Sequence, residues 1–138
     1  MRKILFVTER RADYSRFKPI IEKITQDPDL DYYLIVTGIH LLERYGRTVD
    51  FIESDGVKIS SEIPMFEDGA PDTGAEMARA MARFMLRITE ELERLKPDIV
   101  LSGFDIGANF AVAVAAAHMN IPVGHLQGGE VTGSIDES

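Results

Sequence analysis

Asp98-Ile99-Val100-Leu101-Ser102-Gly103-Phe104-Asp105, an alanine-rich stretch over Gly107–Met119, and Ile121-Pro122-Val123-Gly124-His125-Leu126-Gln127-Gly128-Gly129-Glu130 decide how this chain folds. They read as strand, loop, helix, strand, loop. The apolar runs Asp98–Ser102 and Pro122–Leu126 are short and flanked by Gly and Pro, as buried parallel strands are. So much alanine between them suits a helix packed closely on a sheet. Both loops then fall at the carboxyl ends of neighbouring strands, where open α/β sheets bind ligands.

Working outward, the same alternation covers the chain. Lys3–Thr8 reads as a first strand and Tyr14–Thr25 as a helix with Phe17, Ile20, Ile21 and Ile24 on one face, ended by Pro28. Tyr32–Thr37 reads as a second strand. A helical piece is expected around Val49–Glu53, and a third strand near Lys58–Ile63. After a proline-rich acidic loop, Thr73-Gly74-Ala75-Glu76 has the form of a capping box. The helix it opens keeps Met77, Met81, Phe84, Ile88, Leu92 and Leu95 on one face until Pro97. Right-handed crossovers then give a Rossmann-like parallel sheet, order 3-2-1-4-5, with helices on both faces.

Composition narrows the function. At 138 residues the chain is one domain by length, and the net charge of -8 argues against a nucleic-acid partner. The absence of cysteine removes disulfides, thiolate metal sites and thiol nucleophiles together. The apolar run after Met1-Arg2-Lys3 ends at Thr8-Glu9, too soon for a signal peptide. No segment reaches membrane-spanning length, so no membrane partner and a cytoplasmic location are the expectation. The dinucleotide fingerprint is missing after the first strand, which argues against a nicotinamide cofactor. Neither a cofactor nor a metal is expected.

Four loops carry the candidate chemistry. After strand 1, Arg11 can grip a phosphate through two parallel hydrogen bonds, and Asp13 and Ser15 lie beside it; the alternative leaves the arginines as solvated surface and Asp13 as a helix cap. After strand 2, His40 either meets a ligand or is a hydrogen-bonded loop histidine. After strand 4, Asp105 serves as acid, base or helix cap. After strand 5, His125, Gln127, Gly128, Gly129, Glu130 and Asp136 fall within a dozen residues, where the two glycines permit close backbone approach. The plain alternative there is a solvated charged loop.

Taken together, Arg11-Ala12-Asp13-Tyr14, Thr37-Gly38-Ile39-His40-Leu41, Tyr45-Gly46-Arg47-Thr48, Asn120-Ile121-Pro122-Val123 and Gly128-Gly129-Glu130-Val131-Thr132-Gly133-Ser134-Ile135-Asp136-Glu137-Ser138 resemble the hydrolysing UDP-N-acetylglucosamine 2-epimerases of sialic acid and related nonulosonate synthesis. The resemblance runs through essentially all 138 residues, in order. It implies the amino-terminal half of a glycosyltransferase-B-type protein, whose absent carboxyl-terminal half would hold most of the UDP. It also implies a UDP-sugar as partner, and homo-oligomers formed through helices of this domain. The Met77, Met81 and Met85 stripe is a candidate for such a contact.

The reaction so implied eliminates UDP across C1–C2 of the sugar and then adds water, releasing an N-acetylmannosamine-type sugar. By motif position Asp105, Asp136 and His125 match family site residues, and Arg11 matches an arginine near the nucleotide. Two positions depart from the pattern. Phe104-Asp105-Ile106 stands where Gly-Asp-Arg is usual, and Gln127 stands where a glutamate is usual. They keep two rivals open: a UDP-sugar glycosyltransferase-like domain, and a sugar-nucleotide-binding module that has lost catalysis.

Overall fold

In a computed structural model of the chain, residues 1–103, 107–126, 131 and 133 are described. The elements are β1 (Arg2–Thr8), α1 (Arg11–Thr25), β2 (Leu30–Thr37), α2 (Val49–Ser54), β3 (Ser61–Ile63), α3 (Gly74–Leu95), β4 (Ile99–Ser102), α4 (Ala108–His118) and β5 (Val123–His125). Two short 3-10 turns, Gly38–Leu41 and Glu43–Tyr45, link β2 to α2. The five strands pair in parallel in the order β3-β2-β1-β4-β5, the order read from the sequence.

The apolar strands are continuous because both faces are covered. Leu5, Val7, Ile35 and Val100 pack under α3 and α4, against Phe84, Ile88, Leu92, Ala111 and Ala115. Phe6, Leu34 and Val36 point the other way, under α1 and α2, against Phe17, Ile21, Ile24 and Ile52. Alternate residues of β1 thus feed two separate cores, a consequence of the two-residue period of a strand. Alanines at 108, 111, 115 and 116 are buried, which lets α4 lie close to the sheet. Met81 and Met85 pack on the α3–α4 core as partly buried residues, whereas Met77 and, more so, Leu86 stay exposed.

Three boundaries differ from expectation. α1 begins at Arg11 rather than Tyr14. Its N-cap is Arg10, and Asp13, three residues on, accepts the Arg10 N–H at 3.1 Å. The helix also runs through Pro19, which is exposed, so the hydrogen bond this proline cannot donate is lost on the solvated face. β3 is half the expected length. Lys58 N–H goes to the Tyr32 hydroxyl and Ser60 N–H to the Leu34 carbonyl, and regular pairing with β2 starts only at Ser61. Thr73 does cap α3, accepting from Glu76 N–H at 3.2 Å, but the Glu76 carboxylate turns to Arg83 at 2.5 Å and Arg79 at 3.6 Å.

Candidate functional site

The connection from β1 leads to β2 on one side of the sheet, and that from β4 leads to β5 on the other. The sheet order therefore reverses between β1 and β4. In open α/β sheets the ligand crevice lies outside the carboxyl ends of the strands at such a switch point, here β1 and β4. Thr8 and Ser102 end the two strands and are buried, as are Glu9, Asp13 and Asn109 after them.

On the α2 side of β1 lies His40, fully buried. The Thr8 hydroxyl donates to the Arg10 carbonyl (3.2 Å), so at 2.9 Å it accepts from Nε2–H of His40. Nδ1 is then left unprotonated and accepts from the Thr48 hydroxyl at 2.7 Å. Burial pulls the His40 pKa down to about 4, with the Arg10 carbonyl opposing, so the ring is neutral near pH 7. A neutral imidazole held by two hydroxyls ties β1, the turn after β2 and the start of α2 together.

Asp13 is also fully buried. One carboxylate oxygen accepts from the Glu9 and Arg10 amides (3.0 and 3.1 Å); the other accepts from the Arg10 guanidinium at 3.2 and 3.3 Å. Burial pushes its pKa up, against the pull of Arg10 and the two amides. Asp13 therefore takes the capping role, holding the β1–α1 loop rather than facing the solvent. Arg11 and Ser15 do face outward. With His40, Thr48, Phe51 and Asp55 they line a cavity of about 190 Å³ between α1 and α2. Three of the residues expected to bind substrate, Arg11, Ser15 and His40, thus meet in one pocket. The Arg11 guanidinium sits 4.3 Å from the centre of the exposed Phe51 ring.

On the α4 side, Asn109 pins β1 to β4. Its Nδ2 donates to the Val7 carbonyl (3.3 Å), its Oδ1 accepts from Gly103 N–H (3.1 Å), and its own carbonyl accepts from the Ser102 hydroxyl (3.3 Å). Glu9, only 8% exposed, accepts from Ala108 N–H at 3.3 Å. Neither residue stood out in the sequence. Glu9 lies in a charged run that resembles surface, and its partner is 99 residues away. The one available signal was Gly107 just ahead of α4, a position without a side chain of its own to cap the helix.

His125 ends β5 opposite Ser102 of β4, which places it on the same rim. Asp105, Gln127, Gly128, Gly129, Glu130 and Asp136 lie outside the described residues, as does Ile106. Among the described residues there is no group of three or more His, Asp or Glu side chains suited to a metal, and no helix long and apolar enough to cross a membrane.

Comparison with known proteins converges on one group. Residues 22–138 match the family described as UDP-N-acetylglucosamine 2-epimerase. A relative from Legionella pneumophila, UDP-N,N'-diacetylbacillosamine 2-epimerase (hydrolyzing), is 42% identical over 137 residues, which is 99% of this chain and 36% of the relative. The crystal structure of UDP-GlcNAc 2-epimerase from Neisseria meningitidis bound to UDP-GlcNAc superposes with a TM-score of 0.79 at 22% identity, covering 96% of this chain and 34% of that one. A Streptomyces glycosyltransferase complexed with thymidine diphosphate shares the fold at a TM-score of 0.64 and 16% identity, over 91% of this chain and 38% of its own. The chain spans about a third of the length of such relatives, their amino-terminal part. It belongs to the UDP-N-acetylglucosamine 2-epimerase family.

Proposed function

We propose that this chain is the amino-terminal domain of a hydrolysing UDP-sugar 2-epimerase, and that a carboxyl-terminal domain supplies most of the UDP contacts. The observation that carries this reading is the 42% identity, across 99% of the chain, to a hydrolysing 2-epimerase. UDP-N-acetylglucosamine and UDP-N,N'-diacetylbacillosamine are the two substrates to try first, after the relatives' names.

In this reaction a base removes the C2 proton while the C1–O bond to UDP breaks, and the electron pair becomes the C1–C2 double bond of a glycal. Water then adds its oxygen to C1, and a proton returns to C2 on the opposite face. The carboxyl groups of Asp105 and Asp136 take the acid–base work, with His125 on the same rim and Arg11 toward the nucleotide. General acid–base groups of this kind contribute about 10²–10⁴-fold. The 138-residue chain alone should bind UDP weakly and turn nothing over, since the interactions that position the sugar are shared with the other domain. Self-association through α3, where Leu86 is exposed, belongs to the same proposal.

Product analysis on the full-length protein tests it: free sugar plus UDP is expected, and a transferred glycoside would identify a glycosyltransferase instead. Asp105→Asn should abolish turnover. Gln127→Glu, which restores a titratable group, should raise it by about 10²-fold or more if that position exchanges protons. The second reading, a sugar-nucleotide-binding module without catalysis, is favoured by Gln127 and Ile106. It wins if the full-length protein binds UDP-sugar without turnover and Gln127→Glu changes nothing.

A further inference from the structure

The amino terminus of α4 faces the crevice with no capping side chain of its own. Its N-cap is Gly107, at φ +70°, and no side chain at that position reaches the helix. The cap comes from the far side of the crevice instead. Glu9, the first residue after β1, sends its carboxylate to the N–H of Ala108, the first residue of the 11-residue helix. An anion is favoured there by the free amides and by the helix dipole.

The surroundings are built around this side chain. A Cβ on Gly107 would stand 2.5 Å from Oε2 of Glu9, and a Cβ on Gly38 would stand 2.3 Å from its Cγ. Both glycines have positive φ, so two loops converge on Glu9 with backbone alone at these positions. Its own backbone is fixed as well. Its N–H donates to Asp13 (3.0 Å), and its carbonyl accepts from His40 N–H (3.3 Å).

Asp105 is carried by the three residues between Gly103 and Gly107. At one end, Gly103 N–H is held by Asn109; at the other, Ala108 N–H is held by Glu9. We propose that Glu9 is a positioning residue: it caps α4 from across the switch point and so sets where that helix begins, three residues after Asp105 in the sequence. The catalytic part rests on the epimerase reading of Asp105; the cap does not.

The charges around Glu9 are few. Asp13 and Arg10 approach from its own loop, with opposite effects, and His40 beside it is neutral. From α4 the Ala108 N–H approaches it. Burial pushes the Glu9 carboxyl above the ordinary glutamate range, while the Ala108 amide holds it back. The cap should therefore be made as the carboxyl ionises, at a pH above that of an ordinary glutamate.

Two measurements decide the matter. In the 138-residue chain, the amide resonances of Gly107, Ala108 and the rest of the first turn of α4 are followed from about pH 4 to about pH 8. They should move together with one midpoint, above that of an ordinary glutamate, and Glu9→Gln should abolish the transition while the chain stays folded. In the full-length protein, Glu9→Gln should lower kcat by about tenfold to a hundredfold and leave KM for the UDP-sugar within about threefold, the signature of a misplaced reacting group. Its acid limb in the pH–rate profile should also shift. Amides that ignore Glu9 ionisation, or a Glu9→Gln protein with normal kcat and pH profile, would overturn the proposal. If the full-length protein shows no epimerase activity at all, that failure falls on the reaction, and the amide titration still decides the cap.

Discussion

His40 and Glu9 flank the end of the same strand, and a hydrogen bond from the His40 amide to the Glu9 carbonyl joins them. Both are buried titratable groups, yet they are served very differently. His40 has a hydroxyl on each ring nitrogen, in an arrangement that needs the neutral ring. Glu9 carries a charge-prone carboxyl whose partner among the described residues is one backbone amide. A buried polar group whose hydrogen bonds all close without charge stabilises the fold, while one whose charge is only partly compensated costs stability and is kept for another reason. By that contrast the α2 side of β1 is scaffold at its base, and the α4 side is where chemistry is to be sought.

The largest effect expected of that contrast is on stability. His40→Ala removes a buried ring and strands two hydroxyls, so it should destabilise the domain by about 2–4 kcal/mol. Glu9→Gln keeps the volume and removes a poorly solvated charge, and should cost less than about 1 kcal/mol or even stabilise. Urea denaturation of the three proteins at neutral pH measures both. A Glu9→Gln protein as damaged as His40→Ala would make Glu9 an equal part of the scaffold.

Next comes pH. The folded state holds His40 near 4, against 6.5 in an unfolded chain. The unfolded state therefore binds more protons in that window, and stability should fall as pH drops from about 6.5 to about 4, by at most roughly 3 kcal/mol. Glu9 has the opposite sign: its pKa is raised, so the folded state binds more protons, and its contribution falls as pH rises past the ordinary glutamate value. Glu9→Gln should therefore steepen the rise of stability from pH 4.5 to 6.5, and His40→Gln should flatten or reverse it. Denaturation midpoints across that window read both slopes. Parallel curves for all three proteins would mean that neither group titrates as its surroundings dictate.

The same contrast explains what could be read from the sequence. The strand order and both sheet faces were legible because they follow from local periodicity: Phe6 and its neighbours Leu5 and Val7 alternate between two cores, and only a parallel sheet covered on both sides tolerates such a run. The sequence places the start of α1 late because Asp13 has the form of a first cap, whereas it works from the third helical position on Arg10. In the sequence His40 fits a loop histidine or a ligand contact, and only the arrival of Thr8 and Thr48, 32 and 8 residues away, shows how it is held. Glu9 was out of reach altogether. Its meaning lies in Gly38 and Gly107, two residues without side chains on other loops, and no local pattern joins the three.

A third experiment breaks the packing around Glu9 rather than the residue itself. Gly107→Ala places a methyl 2.5 Å from the Glu9 carboxylate and forces an alanine to φ +70°, so it should cost about 1–3 kcal/mol. Adding Glu9→Ala removes the clash but not the strained backbone. The pair should then be less damaging than the sum of the two single changes, with a coupling of about 0.5–3 kcal/mol. Additive losses would mean that α4 starts where it does for reasons unrelated to Glu9.

The smallest stability effect, and the sharpest functional one on the α2 side, is expected at Arg11. Its guanidinium lies over an exposed phenylalanine, a contact that contributes about 0.5–1 kcal/mol at such a site. Arg11→Ala should therefore leave the denaturation midpoint nearly unchanged. If the pocket it shares with Ser15 and His40 takes part of the sugar nucleotide, the same change in the full-length protein should raise KM about tenfold or more, because an arginine–phosphate pair forms two charge-assisted hydrogen bonds. Arg11→Lys should recover only part of this, since an ammonium group cannot make the paired contact. An unchanged KM in Arg11→Ala would extend the scaffold role from His40 to its whole pocket, and would leave the crevice between β1 and β4 as the substrate's only seat on this domain.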